Sequence, residues 1–223
     1  MANTRRPASQ RSTSQRSTRK RRADGEESRR RILDAAAEIA GERGYDGTSI
    51  GEVSARSGLP ASSIYWHFAN KDELIAAVIE RSFERWLAAV ELPGPEVGDA
   101  GERVRTMAVG LAKALLDTPD FLRLGLMLAL ERRPAEPTAR TKFLQVRQIT
   151  RERIAEAIRE LTPELPESSV RALTTYAMAG ADGLFIAHEL DGDDTDLVAL
   201  FELHARSLSD ATARELDTHR SNP

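Results

Sequence analysis

Residues 47–74 read GTSIGEVSARSGLPASSIYWHFANKDEL, and this stretch decides the fold. Ser49-Ile50-Gly51-Glu52 has the form of a capping box: a serine hydroxyl satisfies an orphan backbone N–H, and a glutamate three residues on reaches back. A helix follows to residue 57. Gly58 suits a left-handed turn, and Pro60 can open the next helix because its missing N–H is not needed there. Residues 61–68 then supply about two helical turns. Val53, Leu59 and Ile64 can lock the two helices together, and small Ser54 permits a close crossing. The pattern predicts a helix-turn-helix, which presents its second helix so that side chains reach base edges in a major groove. An ordinary helical hairpin in a core is the alternative. It leaves Tyr65, Trp66 and His67, three polar-tipped aromatics at one end, with no packing purpose.

Working outward, Ile32, Ala36, Ile39 and Ala40 make an amphipathic stripe over residues 26–43, and Gly44 is a natural stop. Residues 71–89 form a longer helix, after which Pro93, Gly94, Pro95 and Gly98 break the chain. Five more helices are predicted, over residues 102–117, 121–132, 137–161, 168–190 and 196–216. No alternating Val/Ile/Thr segment with hairpin turns appears, and Ala, Leu, Glu and Arg dominate a chain with only 5% aromatics, which favours helices. The expectation is an all-α protein of about nine helices. A helix-turn-helix domain is expected over residues 25–90 and a larger helical domain over residues 91–223.

The net charge of -3 hides an asymmetry. Residues 1–23 carry eight bases and no acid, leaving 24 bases against 35 acids, or -11, on the rest. With QRST twice and no large apolar side chain beyond Met1, residues 1–24 are expected to be a disordered basic tail. Residues 24–80 hold six bases against eleven acids, so a DNA reader of that sign is repelled at long range unless the tail steers it, by tracking phosphates or entering a minor groove. A purely solubilising tail is the alternative. The absence of cysteine excludes disulfides and thiolate metal sites, and neither a signal-like apolar start nor a membrane-length apolar run is present, so a cytoplasmic protein is expected.

Catalysis finds no support. The four histidines form no HExxH pair, there is no GxSxG, Walker loop or GxGxxG, and residues 191–196, DGDDTD, lack the glycine and glutamate positions of an EF-hand. No cofactor is expected. Residues 121–130 are apolar almost all round, as suits a helix walled in by others. With Trp86, Met107, Leu111, Leu124, Met127, Phe143, Arg147, Tyr176 and Asp182, they are the candidate lining of a pocket for a mostly apolar molecule with one or two polar anchors. Plain core is the rival for each residue. Asp182 is the most diagnostic, since a buried acid needs a partner such as Arg147 or a cationic ligand. Residues 168–190 carry two apolar stripes, one through Val170, Leu173, Ala177, Gly180, Leu184 and Ala187, the other through Ala172, Tyr176, Ala179, Gly183, Ile186 and Leu190. With Leu197, Phe201, His204, Leu208 and Ala211 on the last helix, they suit either one core or a four-helix dimer seam.

The quoted stretch resembles the DNA-binding signature of TetR-family transcriptional regulators, and the likeness extends over residues 28–79. The resemblance implies a homodimer paired through its last two long helices, an operator in double-stranded DNA and a small-molecule effector that releases it. By position it implies that Thr48, Tyr65, His67 and Lys71 hold phosphates, while Ser49, Gly51, Ala61, Ser62 and Ser63 face bases or nearby backbone. Trp66 completes the candidate DNA-binding set. Gly51 and Ala61 stand where many relatives carry a basic or amide residue, so direct readout rests on few hydrogen bonds, with Ala61 suited to a thymine methyl. The rival is a DNA-bound adaptor whose larger domain docks a protein.

Overall fold

A computed structural model describes residues 9–90, 98–130 and 137–221. Among these residues the chain forms nine α-helices and no strand. They are α1 (Ser9–Arg43), α2 (Ile50–Ser57), α3 (Ala61–His67), α4 (Lys71–Ala89), α5 (Ala100–Asp117), α6 (Asp120–Leu130), α7 (Thr138–Leu161), α8 (Glu167–Asp191) and α9 (Leu197–Ser221), with one 3-10 turn at Gly192–Asp194. Local chemistry sets several ends. Ser49 caps α2 through both halves of a capping box, and the Asp99 carboxylate caps α5 by accepting from the backbone N–H of Glu102 at 2.9 Å.

Two expectations are corrected. α1 begins at Ser9 rather than residue 26, so residues 9–24 of the segment expected to be disordered are helical, and residues 1–8 lie outside the described residues. Extending a helix from a docked nucleus adds one hydrogen bond per residue without a new nucleation cost, and residues 9–24 hold no glycine or proline to stop it. The second correction concerns the boundary. The described residues up to Val78, with Pro137–Ala139, form one compact unit, and those from Ile79 onward, less these three, form the other. The division therefore falls inside α4 and not at the proline- and glycine-rich break, of which residues 91–97 lie outside the described residues. A helix crosses such a division easily because its successive turns can serve different cores.

In the first unit α1 buries Ile32, Leu33, Ala36, Ile39 and Ala40, and α1, α2 and α3 pack mutually around Val53 and Ile64. Phe68, Leu74, Ile75 and Val78 are also buried. The Asp72 carboxylate accepts from the backbone N–H groups of Thr138 and Ala139, at 2.5 and 3.1 Å, which holds the short second segment in this unit. In the second unit α9 packs against α5 and α8. Ala155, Ile158, Leu165, Val170 and Leu173 form a core cluster against Leu208, Ala211 and Leu216 of α9. Arg123 of α6 binds Glu189 of α8, at 2.5 and 2.8 Å.

Candidate nucleic-acid interface and ligand cavity

The helix-turn-helix is held from behind. Gly58 adopts φ 66°, the left-handed conformation that ends α2 at little cost only for glycine. The Ser54 hydroxyl donates to the Leu59 carbonyl at 2.7 Å, so this residue clasps the turn as well as admitting a close crossing. Arg31 of α1 donates to the Ser57 carbonyl at 2.5 Å. Val53 and Ile64 are fully buried, as their locking role requires, and Leu59 is half-buried.

The opposite face of α3 is open. Tyr65 is 56% exposed and Trp66 77%, with Ser62 exposed and Ala61, Ser63 and His67 half-buried. Ser49 and Gly51 are exposed at the start of α2, where a Cβ added at Gly51 would meet only the Ser49 hydroxyl, at 3.9 Å. Trp66 and His67 stack edge to face at 4.6 Å between ring centroids. Burial and then the nearby Arg29 guanidinium hold the His67 imidazole below its ordinary pKa, which favours the neutral ring. Lys71 is half-buried, donates to the Tyr45 carbonyl at 3.1 Å and lies 4.4 Å from the Tyr45 ring centroid. Thr48 is a correction. It is 1% exposed and its hydroxyl donates to the Gly44 carbonyl at 2.8 Å, so the side chain closes the turn after α1 and is not presented to phosphates.

The second unit holds a partly open cavity of ≈ 570 Å³, within the usual range for small-molecule sites. Of the candidate lining, Trp86, Met107, Leu111, Phe143, Arg147 and Asp182 border it. Leu124, Met127 and Tyr176 do not. Leu124 is buried in the core, while Met127 is 47% and Tyr176 48% exposed. Nor is α6 walled in all round, since Leu130 is 79% exposed. On so apolar a helix the pattern shows no polar face, so it could not reveal the side left open. Sequence reasoning missed Phe83, which joins Trp86 and Phe121 in one aromatic wall with centroids 5.2–5.7 Å apart. The spacing of Phe83 and Trp86, one turn of helix apart, was the available signal. Arg147 and Asp182 form a two-armed ion pair at 2.8 and 2.6 Å on the cavity wall, each side chain about a quarter exposed or less.

The two stripes of α8 separate. Val170, Leu173 and Ala177 are buried, whereas Tyr176, Ala179, Gly183, Ile186 and Leu190 are exposed. Leu203 of α9 is 50% exposed. A Cβ added at Gly183 would meet nothing within 4 Å.

A profile described as bacterial regulatory proteins, tetR family, matches residues 32–78, the segment that spans the docked half of α1 and the helix-turn-helix. Residues 32–78 of this chain thus match the DNA-binding segment of the TetR family. Among curated relatives, the regulator AcrR of Shigella flexneri is 36% identical over 64 residues, 29% of this chain and 30% of that protein. The transcriptional repressor KstR of Mycolicibacterium smegmatis is 30% identical over 93 residues, 42% of this chain and 46% of its own. The chain thus spans less than half the length of these relatives. Among solved structures, the fatty acid degradation regulator FadR from Bacillus halodurans superposes with a TM-score of 0.67 over 81% of this chain and 93% of its own, at 18% identity. A TetR-family regulator from Rhodococcus gives 0.65 over 84% and 99%, at 19%. TetR-family proteins are regulators, not enzymes. No helix among the described residues is long and apolar enough to cross a membrane.

Proposed function

We propose that this chain is a cytoplasmic, sequence-specific transcriptional regulator of the TetR family: a homodimeric repressor that a small, mostly apolar ligand releases from its operator. The observation that carries the DNA-binding part is the asymmetry of α3, whose Ile64 is fully buried while Tyr65 and Trp66 on the same short helix are 56% and 77% exposed. Large aromatic rings left in water beside small hydroxyl side chains suit a surface completed by a partner with phosphates and base edges. The repressor sense follows the name of KstR. The uncovered stripe of α8, continued by Leu203, suits a second copy of itself, because small Ala179 and Gly183 let backbones approach.

The cavity favours an effector over a docked protein, since its walls are aromatic and aliphatic with the Arg147–Asp182 pair as the polar anchor. A carboxylate can compete for Arg147, and a cationic group for Asp182. Because α4 contributes its first turns to one unit and the rest to the other, an effector that moves its second half has a covalent route to the reading helices. The test is selection of DNA fragments by the purified protein, followed by titration of the selected operator with wild type and with the Ser62→Glu and Tyr65→Ala variants. Selective binding that both variants lose is expected. A protein that enriches no sequence overturns the proposal. For the effector half, apolar probes with anionic, cationic and neutral head groups are screened by thermal shift. A probe that stabilises wild type but not Arg147→Ala or Asp182→Ala, and lowers operator affinity, supports it. One that binds the cavity and leaves operator affinity unaltered counts against release.

A further inference from the structure

Every base in residues 24–80 is already engaged within the reading unit. Arg30 pairs with Glu27 at 2.6 Å, Arg43 with Glu52, and Arg56 with both Glu38 and Glu42 at 3.1 and 3.2 Å. Arg31 donates to the Ser57 carbonyl, Lys71 to the Tyr45 carbonyl, and the Arg29 guanidinium lies 5.4 Å from the Phe68 ring centroid. Eleven acids stand in the same segment. A surface of that sign and commitment gains little from phosphate neutralisation, the term that dominates affinity for a duplex.

The cations lie in the preceding part of α1, and α1 passes beside the open end of α3. A Cβ added at Gly25 would stand 3.8 Å from the Trp66 indole. From there α1 continues back to Ser9, sixteen residues or about 24 Å of helix, in a segment whose sequence holds Arg11, Arg16, Arg19, Lys20, Arg21 and Arg22 against the single acid Asp24. We infer that the part of α1 before Gly25 is a second DNA-binding element, a basic helical rod that neutralises backbone phosphates beside the site read by α3 and is indifferent to sequence. The helical form decides how it binds. An α-helix with side chains is about 10–12 Å across and the minor groove about 6 Å wide, so residues 9–24 follow the phosphate backbone or the major groove and do not thread the minor groove.

This rests on the DNA-binding proposal, and the test separates the two. Operator and scrambled duplex affinities are measured against salt for the full chain, for the charge variant R19Q/K20Q/R21Q/R22Q and for Ala23→Pro, which breaks the rod from the docked helix without altering charge. Unchanged thermal midpoints show that the packed part of α1 persists. The slope of log K against log salt is expected to shrink by about 0.9 for each phosphate contact removed, up to about 3.6 for the charge variant. Both duplexes should weaken equally, so that selectivity is preserved. Ala23→Pro should also lose slope and affinity. Selective binding by the wild type with the same slope in the charge variant overturns the inference alone. Loss in the charge variant with none in Ala23→Pro overturns the rod and leaves a flexible polycation. A wild type without DNA affinity overturns this inference and the proposal beneath it.

Discussion

Single residues decide whether the helix-turn-helix closes. At Gly58 the backbone holds φ 66°, where a Cβ crowds the following carbonyl, and the Arg31 guanidinium would lie 3.2 Å from it. Gly58→Ala is expected to lower stability by about 1 kcal/mol, read as a drop in urea midpoint, and Gly58→Asn by less. His67 makes a pH-dependent contribution. Its pKa is lowered in the fold by burial first and by Arg29 second, so the unfolded chain takes up a proton before the folded one as pH falls. The stabilisation is complete above the ordinary histidine pKa of 6.5 and is lost as pH falls below that value through the depressed one. Urea midpoints between pH 8 and pH 5 should therefore fall more steeply for wild type than for His67→Gln; parallel curves would remove histidine from the account. Thr48 marks the limit of position matching. A hydroxyl fits a phosphate contact by type, but the turn after α1 consumes its donor.

Whole helices were legible where amphipathic period and end signals agreed. The capping box, the turn glycine and the proline before α3 fix those ends locally, and α2, α3 and α4 begin where the residues predict. The start of α1 was not legible, because low apolarity argues against packing but not against propagation from a helix already docked. Close approach between elements was also hidden. Gly125 of α6 faces the fully buried ring of Phe143, whose atoms would lie 2.0 Å from an added Cβ. Gly125→Ala is expected to cost about 1–3 kcal/mol by overpacking and to reshape the cavity that Phe143 borders. Denaturation measures the first effect and binding of a cavity probe the second; an unchanged midpoint would mean that the ring yields. Gly180 plays the same part beneath His204, whose Nε2–H donates to the Ala177 carbonyl at 3.0 Å.

For the whole molecule, the uncovered stripe on α8 and α9 makes assembly the main question. Placing charge there without disturbing the buried stripe separates assembly from folding. Gly183→Arg and Leu203→Arg are expected to leave the thermal unfolding of the protomer cooperative, to convert a dimer to a monomer by sedimentation, and to weaken operator binding, because two half-sites are then no longer held together. A wild type that sediments as a monomer at micromolar concentration, or a monomeric variant with full operator affinity, would count against the dimeric repressor.

Periodicity, capping and turn chemistry are properties of neighbours along the chain, so the all-α class, the helix order and the helix-turn-helix could be read from residues alone. Which side of a crowded helix meets a cavity is settled by other helices that no local pattern sees. That is why Arg147 and Asp182 meet on the cavity wall as the sequence allowed, while Leu124, Met127 and Tyr176 face elsewhere. The split of α8 into a buried and an open stripe, and the commitment of the reading unit's cations to its own carboxylates and carbonyls, are likewise consequences of packing in three dimensions.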